Sequence, residues 1–151
     1  MNVSEINREY IDLILSNPEE YSKDYELTVE KVANSNAKYK GKPVPFLYHP
    51  MIFSEDDIEN FNKISEVIIS ITNKVTDKYV SDANFRKKFK FPKLIEELIQ
   101  VDNGYDINVP IGRFDIFYNN IENFKFCEIN TDGSSAMNED NTIGKILLGT
   151  K

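Results

Sequence analysis

Residues 109–130 read VPIGRFDIFYNNIENFKFCEIN, a stretch in which strand-like sequence replaces the helical periodicity of the preceding residues. Val109 to Tyr118 is rich in β-branched and aromatic residues, and strand-like sequence resumes from Phe124 to Asn130. The asparagines of residues 119–123 are typical of a turn. The pattern therefore predicts an antiparallel β-hairpin.

Helical periodicity dominates the residues on either side of the hairpin. It predicts helices over residues 3–16, 18–40, 55–79, 82–89 and 92–101, and a last helix that begins at an Asn138 cap and runs through Leu147. Gly41 is expected to end the second helix. Residues 43–53 hold three prolines and are expected to be extended. The predicted fold class is α+β, with a mainly helical region over 1–108 and the hairpin and its loop over 109–151.

Composition restricts the class of partner. The net charge is −7 and the isoelectric point about 4.8, so we expect no nucleic-acid and no membrane partner. The basic run 86–90 is either a solvated helix end or a phosphate contact. The single cysteine, Cys127, rules out an internal disulfide and a cysteine-based zinc site. The polar start of the chain and the lack of a long apolar stretch predict a cytoplasmic protein.

The hairpin holds the residues that best suit chemistry. Strand side chains alternate, so Arg113, Asp115 and Phe117 are expected on one face. Phe126, Glu128 and Asn130 are likewise expected to share a face, with Cys127 and Ile129 opposite. If 120–123 form a four-residue loop, Asp115 lies opposite Glu128 and Arg113 opposite Asn130.

Two carboxylates directly across a strand pair repel each other unless something compensates them. A divalent cation does so, and Mg²⁺ is held by one or two carboxylates together with phosphate and water oxygens. Asn130 adds a neutral oxygen, and Arg113 can pair with a carboxylate or a phosphoryl group. The spacing thus indicates an Mg²⁺–polyphosphate site. A solvent-facing hairpin with an Arg–Asp or Arg–Glu ion pair is the alternative.

Two further features have a functional and a plain interpretation. The loop after the hairpin, 130–139, reads NTDGSSAMNE, and its small residues before a helix leave N–H groups able to bind a carboxylate or phosphate. An ordinary turn followed by a cap explains it equally well. His49 stands alone beside Pro50, which favours a packing or turn role over a substrate contact.

Two motifs resemble those of a known family. The run Arg113-Phe114-Asp115 is similar to an R-F-D motif, and residues 128–132 (EINTD) are similar to the E-x-N-x-D motif of the glutathionylspermidine synthase family. The likeness covers Pro110 to Asn141, with a weaker likeness near 46–54. The chain departs from the family at residues 132–134, where Asp-Gly-Ser stands in place of a D-T-P-type turn.

The resemblance implies a circularly permuted ATP-grasp ligase that joins a carboxylate to an amine at the expense of ATP. It implies that Asp115, Glu128 and Asn130 bind Mg²⁺ and that Arg113 stabilises the acyl-phosphate or tetrahedral intermediate. The remaining implied contacts are to the substrate, through Asp132, Ser134 and Ser135.

The resemblance also implies that this chain is the N-terminal part of such a ligase. The family's lysine and glycine-rich loop, which cover the ATP phosphates, have no counterpart before Lys151. We therefore expect the chain to be inactive by itself and to need the downstream portion in cis or in trans. Two other functions compete: a non-catalytic acidic binding module, and a structural helical domain whose hairpin only closes the core.

Overall fold

The computed structural model describes residues 2–131 and 136–151. These residues form helices and two small antiparallel hairpins, so the predicted α+β class is confirmed. The helices are α1 (Val3–Ser16), α2 (Pro18–Ala33), α3 (Glu55–Ser81), α4 (Ala83–Arg86), α5 (Lys93–Ile99) and α6 (Met137–Leu147). The strands are β1 (Lys38–Tyr39), β2 (Lys42–Pro43), β3 (Arg113–Asn120) and β4 (Asn123–Asn130).

The chain divides into two compact units. Among the described residues, the first unit comprises 2–55 and 136–151, and the second comprises 56–131. The last helix therefore belongs with the N-terminal helices and not with the hairpin that precedes it in sequence.

Local sequence sets the first two helices. Asn2 and Glu5 form a capping box at the start of α1, in which each side chain accepts from the other residue's backbone N–H at 2.9 Å. Pro18 separates α1 from α2, because it disfavours a helical conformation at Asn17. Pro18 then occupies the first turn of α2, where its missing N–H costs nothing.

The prediction that the second helix continues to Lys40 was wrong, because α2 ends at Ala33. Just beyond that end, the side chains of Asn34 and Ser35 bond to the carbonyl oxygens of Glu30 and Val32. Short polar side chains compete in this way with the helical ladder.

The residues after α2 form the β1–β2 hairpin instead of more helix. Its two turn residues, Lys40 and Gly41, both have positive φ, at 50° and 78°. Such a turn matches the twist of paired strands. Gly41 therefore lies in the turn of the β1–β2 hairpin, and the prediction that it ends a helix was wrong.

The core of the first unit lies on α2. Thr28 and Val32 are fully buried there, as is Ala37 just beyond it. Helix α6 packs on α2, and Thr142 Oγ1 lies 3.0 Å from Asn36 Oδ1. The predicted Asn138 cap was wrong: α6 begins at Met137, one residue earlier, with Ala136 at its N-cap.

The second unit is built on the long helix α3. Its apolar stripe buries Ile64 and, near its end, Tyr79. The Arg86 side chain, at the end of α4, holds α4 against the end of α3. Its Nη1 donates to the carbonyl oxygens of Tyr79 and Val80 at 2.7 and 2.8 Å. The two short helices predicted after α3 are confirmed as α4 and α5, each shorter than expected.

Candidate functional site

The turn of the β3–β4 hairpin follows from one asparagine. Asn120 Oδ1 accepts hydrogen bonds from the backbone N–H groups of Glu122 and Asn123 at 2.9 and 2.8 Å. An asparagine side chain that bonds the backbone ahead of it in this way favours a reversal of the chain. Asn120 and Asn123 face each other across the turn, as the predicted loop requires.

The hairpin register at the open end is the predicted one. Arg113 is paired with Asn130, and Asp115 is paired with Glu128. The composition predicted that the first strand begins at Val109. In the structure, β3 begins at Arg113. Pro110, which has no backbone N–H to give to a ladder, lies in the stretch that stays outside the strand.

Between the two ends, the register shifts by one residue and then returns. The first shift lies between Asp115 and Ile116, and Ile116 is paired with Phe126, so Cys127 is the extra residue on β4. The second shift lies before Asn120 and leaves Asn119 as the extra residue on β3. An extra residue of this kind is a β-bulge, and every side chain beyond it changes face.

The first bulge corrects the predicted face of Phe126. Phe126 is paired with Ile116 and therefore lies on the apolar face, away from Glu128 and Asn130. Its ring lies 6.3 Å from that of Phe114, edge to face. Without the bulge, this large apolar side chain would stand among the charged groups.

We call the face of the hairpin that carries Arg113, Asp115, Glu128 and Asn130 the polar face. It has two short contacts, each between side chains of the same strand. On β3, Arg113 Nε lies 3.0 Å from Asp115 Oδ1, and both side chains are a little over one third exposed. On β4, Asn130 Nδ2 donates to Glu128 Oε1 at 3.1 Å. Each carboxylate of the cross-strand pair thus has a neighbouring donor, which offsets the repulsion between them.

The donor set on this face fits Mg²⁺ in chemical type. Two carboxylates and one amide oxygen are hard ligands, and Mg²⁺ fills its remaining positions with phosphate oxygens and water. Within residues 2–131 and 136–151, no group of three or more His, Cys, Asp or Glu side chains could hold a metal ion. A cation bound here would therefore need further oxygen ligands from outside these residues, such as water or a phosphate group.

The bulge also brings to the polar face a cation that the sequence argument missed. Lys125 is paired with Phe117, so both lie on the face that carries Arg113 and Asp115. Both side chains are exposed. A phase break in β4 could have revealed this: the apolar residues Phe124 and Phe126 are two apart, whereas Ile129 follows three residues later.

The opposite face of the hairpin packs on α3. The Tyr118 ring lies 4.6 Å from that of Phe61, and its hydroxyl donates to Asp57 Oδ1 at 2.7 Å. Asn60 Nδ2 lies 3.3 Å from the same hydroxyl. Partial burial, and then the hydrogen bond to Asp57, raise the pKa of Tyr118.

Next to this contact, α3 and the hairpin enclose an apolar groove of about 590 Å³. Ten residues line it: Lys63, Ile64, Val67, Ile68, Ile71, Thr72, Ile121, Phe124, Phe126 and Ile129. Its size falls within the usual range for ligand pockets, roughly 300–1,000 Å³.

The remaining predicted site residues lie apart or outside the described structure. Asp132, Ser134 and Ser135 fall outside the described residues. His49 lies in the first unit, half-buried, with its ring 5.0 Å from that of Tyr10, edge to face. Its Nε2 is buried without a hydrogen-bond partner among the described residues.

Comparison of the chain with models of protein families, with curated proteins and with solved structures found no match. In the part of the chain that the structure describes, no helix is both long enough and apolar enough to cross a membrane.

Proposed function

We propose that the polar face of the β3–β4 hairpin is the Mg²⁺–nucleotide half-site of an ATP-dependent carboxylate–amine ligase of the glutathionylspermidine synthase type. The observation that carries the proposal is the register, which pairs Asp115 with Glu128 and Arg113 with Asn130. These are the residues of the two motifs. The proposed architecture is that of a permuted ATP-grasp ligase, of which this chain is the N-terminal portion.

In this reaction, a carboxylate oxygen of one substrate attacks the terminal phosphorus of ATP, and ADP leaves. The amine nitrogen of the second substrate then attacks the acyl carbon, inorganic phosphate leaves, and the nitrogen gives up a proton to the phosphate or to water as the amide forms. The work of the protein is positioning and charge stabilisation. Mg²⁺, when bound, would neutralise phosphoryl oxygens, and Asp115, Glu128 and Asn130 would hold it.

Arg113 has the second role in the proposal. Its guanidinium is a planar fork that can bind two oxygens of a phosphoryl group at once. In the structure it is paired with Asp115. In the proposal, the guanidinium stabilises the negative charge of the acyl-phosphate or of the tetrahedral intermediate. Asp132, Ser134 and Ser135 would contact the acid substrate in the same proposal.

The apolar groove favours a second candidate, the non-catalytic binding module. The groove is lined almost wholly by aliphatic and aromatic side chains, and Val67 and Ile71 on its α3 wall are more than half exposed. A partner peptide could place apolar side chains there. On this interpretation, the Arg113–Asp115 ion pair only stabilises a solvent-facing hairpin, and the chain has no nucleotide site.

Calorimetric titration separates the two functions. ADP with Mg²⁺ is titrated into the chain and into the double variant Asp115→Asn, Glu128→Gln. The proposal predicts binding that the double variant loses and that needs Mg²⁺, because the two carboxylates are the charged ligands of the ion. The matched control is Asp106→Asn, Glu122→Gln, which removes the same charge from exposed positions outside the polar face.

The control is expected to bind as the parent chain does. Equal binding by the parent chain and the Asp115, Glu128 variant would refute the assignment of these carboxylates. No binding by the parent chain would show that these residues do not hold the nucleotide without the downstream portion of the proposed ligase.

A further inference from the structure

A second charged surface lies away from the hairpin, in a segment that the proposed ligase chemistry does not use. We call residues 86–101, which read RKKFKFPKLIEELIQV, the basic–apolar segment. It holds five cations and two carboxylates, in a chain whose net charge is −7. It comprises the end of α4, a turn, α5 and the two residues after it.

Both carboxylates of the segment are already paired. Glu96 accepts from Arg86 Nε at 3.2 Å, and Glu97 lies 3.6 Å from Lys93 Nζ. The other three lysines of the segment, Lys87, Lys88 and Lys90, are exposed and form no ion pair with any described residue. The segment thus presents positive charge that the protein does not compensate locally.

Aromatic side chains stand among these lysines. The rings of Phe89 and Phe91 stack 5.8 Å apart, and both contact Tyr79, although each remains about two fifths exposed. Lys90 connects them with a left-handed backbone, φ 54°. Lys88 Nζ lies 5.6 Å from the centre of the Phe85 ring, so cations and aromatic rings share one surface.

Helix α5, which follows directly in sequence, adds exposed aliphatic side chains. Leu94 and Leu98, four residues apart in α5, are neighbours along one side of the helix, and Val101 follows two residues beyond its end. They are 65%, 58% and 65% exposed. These three residues, the apolar row, lie close in sequence to the unpaired lysines, and exposed apolar side chains combined with cations suit an anionic membrane interface.

We propose that the basic–apolar segment binds an anionic lipid surface. Lysines would face the phosphate and carboxylate groups of the lipids, and the apolar row would enter the boundary between headgroups and acyl chains. The exposed leucines favour lipid over nucleic acid, which gains from cations and aromatic rings but has no acyl layer to receive Leu94 and Leu98.

The acidic net charge does not oppose this proposal. Charges are screened over about 8 Å at physiological ionic strength, so a lipid surface responds mainly to the nearest side chains. The expectation of no membrane partner came from the charge of the whole chain. The local charge of the segment has the opposite sign.

Flotation with vesicles tests the proposal. Binding of the chain is measured on vesicles of phosphatidylcholine with and without phosphatidylserine. We expect binding only where phosphatidylserine is present. Replacing Lys87, Lys88 and Lys90 by Gln is expected to weaken it roughly a hundredfold, at about fivefold per lysine. The matched control replaces Lys23, Lys31 and Lys38, which are also exposed, and is expected to bind normally.

The apolar row is tested with Leu94→Ser, Leu98→Ser. The control is Leu13→Ser, Leu15→Ser on α1, at 52% and 67% exposure. Only the α5 variant is expected to lose binding. Equal binding to both kinds of vesicle, equal loss in variant and control, or tighter binding to a single-stranded oligonucleotide than to vesicles would overturn the proposal. Self-association through α5 without vesicle binding would overturn it as well.

Discussion

At the scale of single residues, Tyr48 makes the most informative contact of the first unit. Its hydroxyl donates to Asp24 Oδ2 at 2.5 Å, and its ring packs edge to face on Tyr25. Burial of the ring, and then the hydrogen bond to Asp24, raise the pKa of Tyr48 well above its ordinary value of 10.0. The segment after β2 is thereby attached to α2.

The raised pKa predicts a dependence of stability on alkaline pH. A group whose pKa is higher in the folded state stabilises the protein fully below its unfolded pKa, and this contribution is lost as the pH rises. We expect the free energy of unfolding to fall above pH 10.0. The Tyr48→Phe variant should have a lower free energy of unfolding at neutral pH than the parent chain. Its free energy of unfolding should also fall less above pH 10.0.

Urea denaturation over a series of pH values measures this effect. Tyr105→Phe is the control, because the Tyr105 side chain is 68% exposed. The control should follow the parent chain. If Tyr48→Phe showed the same alkaline decrease as the parent chain, the Tyr48–Asp24 contact would not be its cause.

The β3–β4 hairpin contains one feature that the sequence predicts and one that it does not. The pairing of Asp115 with Glu128 was predictable, because alternation and a plausible loop length are enough to place residues across a hairpin. The face of Phe126 was not predicted. It depends on one extra residue, Cys127, whose only trace in the sequence is a break in the apolar alternation.

At the scale of elements, the two hairpins differ in how their turns are encoded. The turn of β3–β4 has a side-chain device, Asn120, that the sequence displays plainly. The turn of β1–β2 has only Lys40 and Gly41, and a glycine after a helical stretch also suits a helix end. For this reason the sequence pattern predicted a second helix that is longer than α2.

The role of Gly41 leads to a prediction with a matched control. A Cβ at Gly41 and a Cβ at Gly144 would both meet nothing within 4 Å. Gly41 has a φ of 78°, whereas Gly144 lies inside α6. We expect Gly41→Ala to lower the free energy of unfolding by about 1 kcal/mol, because a side chain is strained in the left-handed region.

The control should change in the opposite direction. Gly144→Ala is expected to raise stability by about 0.5–1 kcal/mol, because alanine restricts the unfolded chain and favours helix. Thermal unfolding of both variants provides the measurement. Two changes of the same sign would contradict the assignment of Gly41 to a left-handed turn.

At the scale of the whole molecule, the last helix and the residues after it contact α2, near the start of the chain. Helix α6 packs on α2, and the backbone N–H of Lys151 lies 3.3 Å from Asp24 Oδ2. The Lys151 side chain forms an ion pair with Glu20. Contacts between residues so far apart in sequence leave no local pattern, so the sequence does not indicate that α6 packs on α2.

This arrangement predicts which part of the molecule depends on α6. In a chain that ends at Thr131, the amides of α2 should exchange with deuterium faster, because α2 loses its packing partner. The amides of β3 and β4 should keep their protection, since the hairpin packs on α3 in the other unit. Hydrogen exchange followed by mass spectrometry distinguishes the two. An equal loss of protection in α2 and in the β3–β4 hairpin would contradict the division of the chain into two units.

The bulge has one more consequence, for spectroscopy. Cys127 is the only thiol in the chain, it is exposed, and it lies at the residue where β4 changes register. A fluorophore or spin label attached there would sit beside Glu128, which faces the proposed metal site, and Phe126, which lines the groove. The unmodified sequence therefore already carries a single labelling position from which occupancy of either face can be observed.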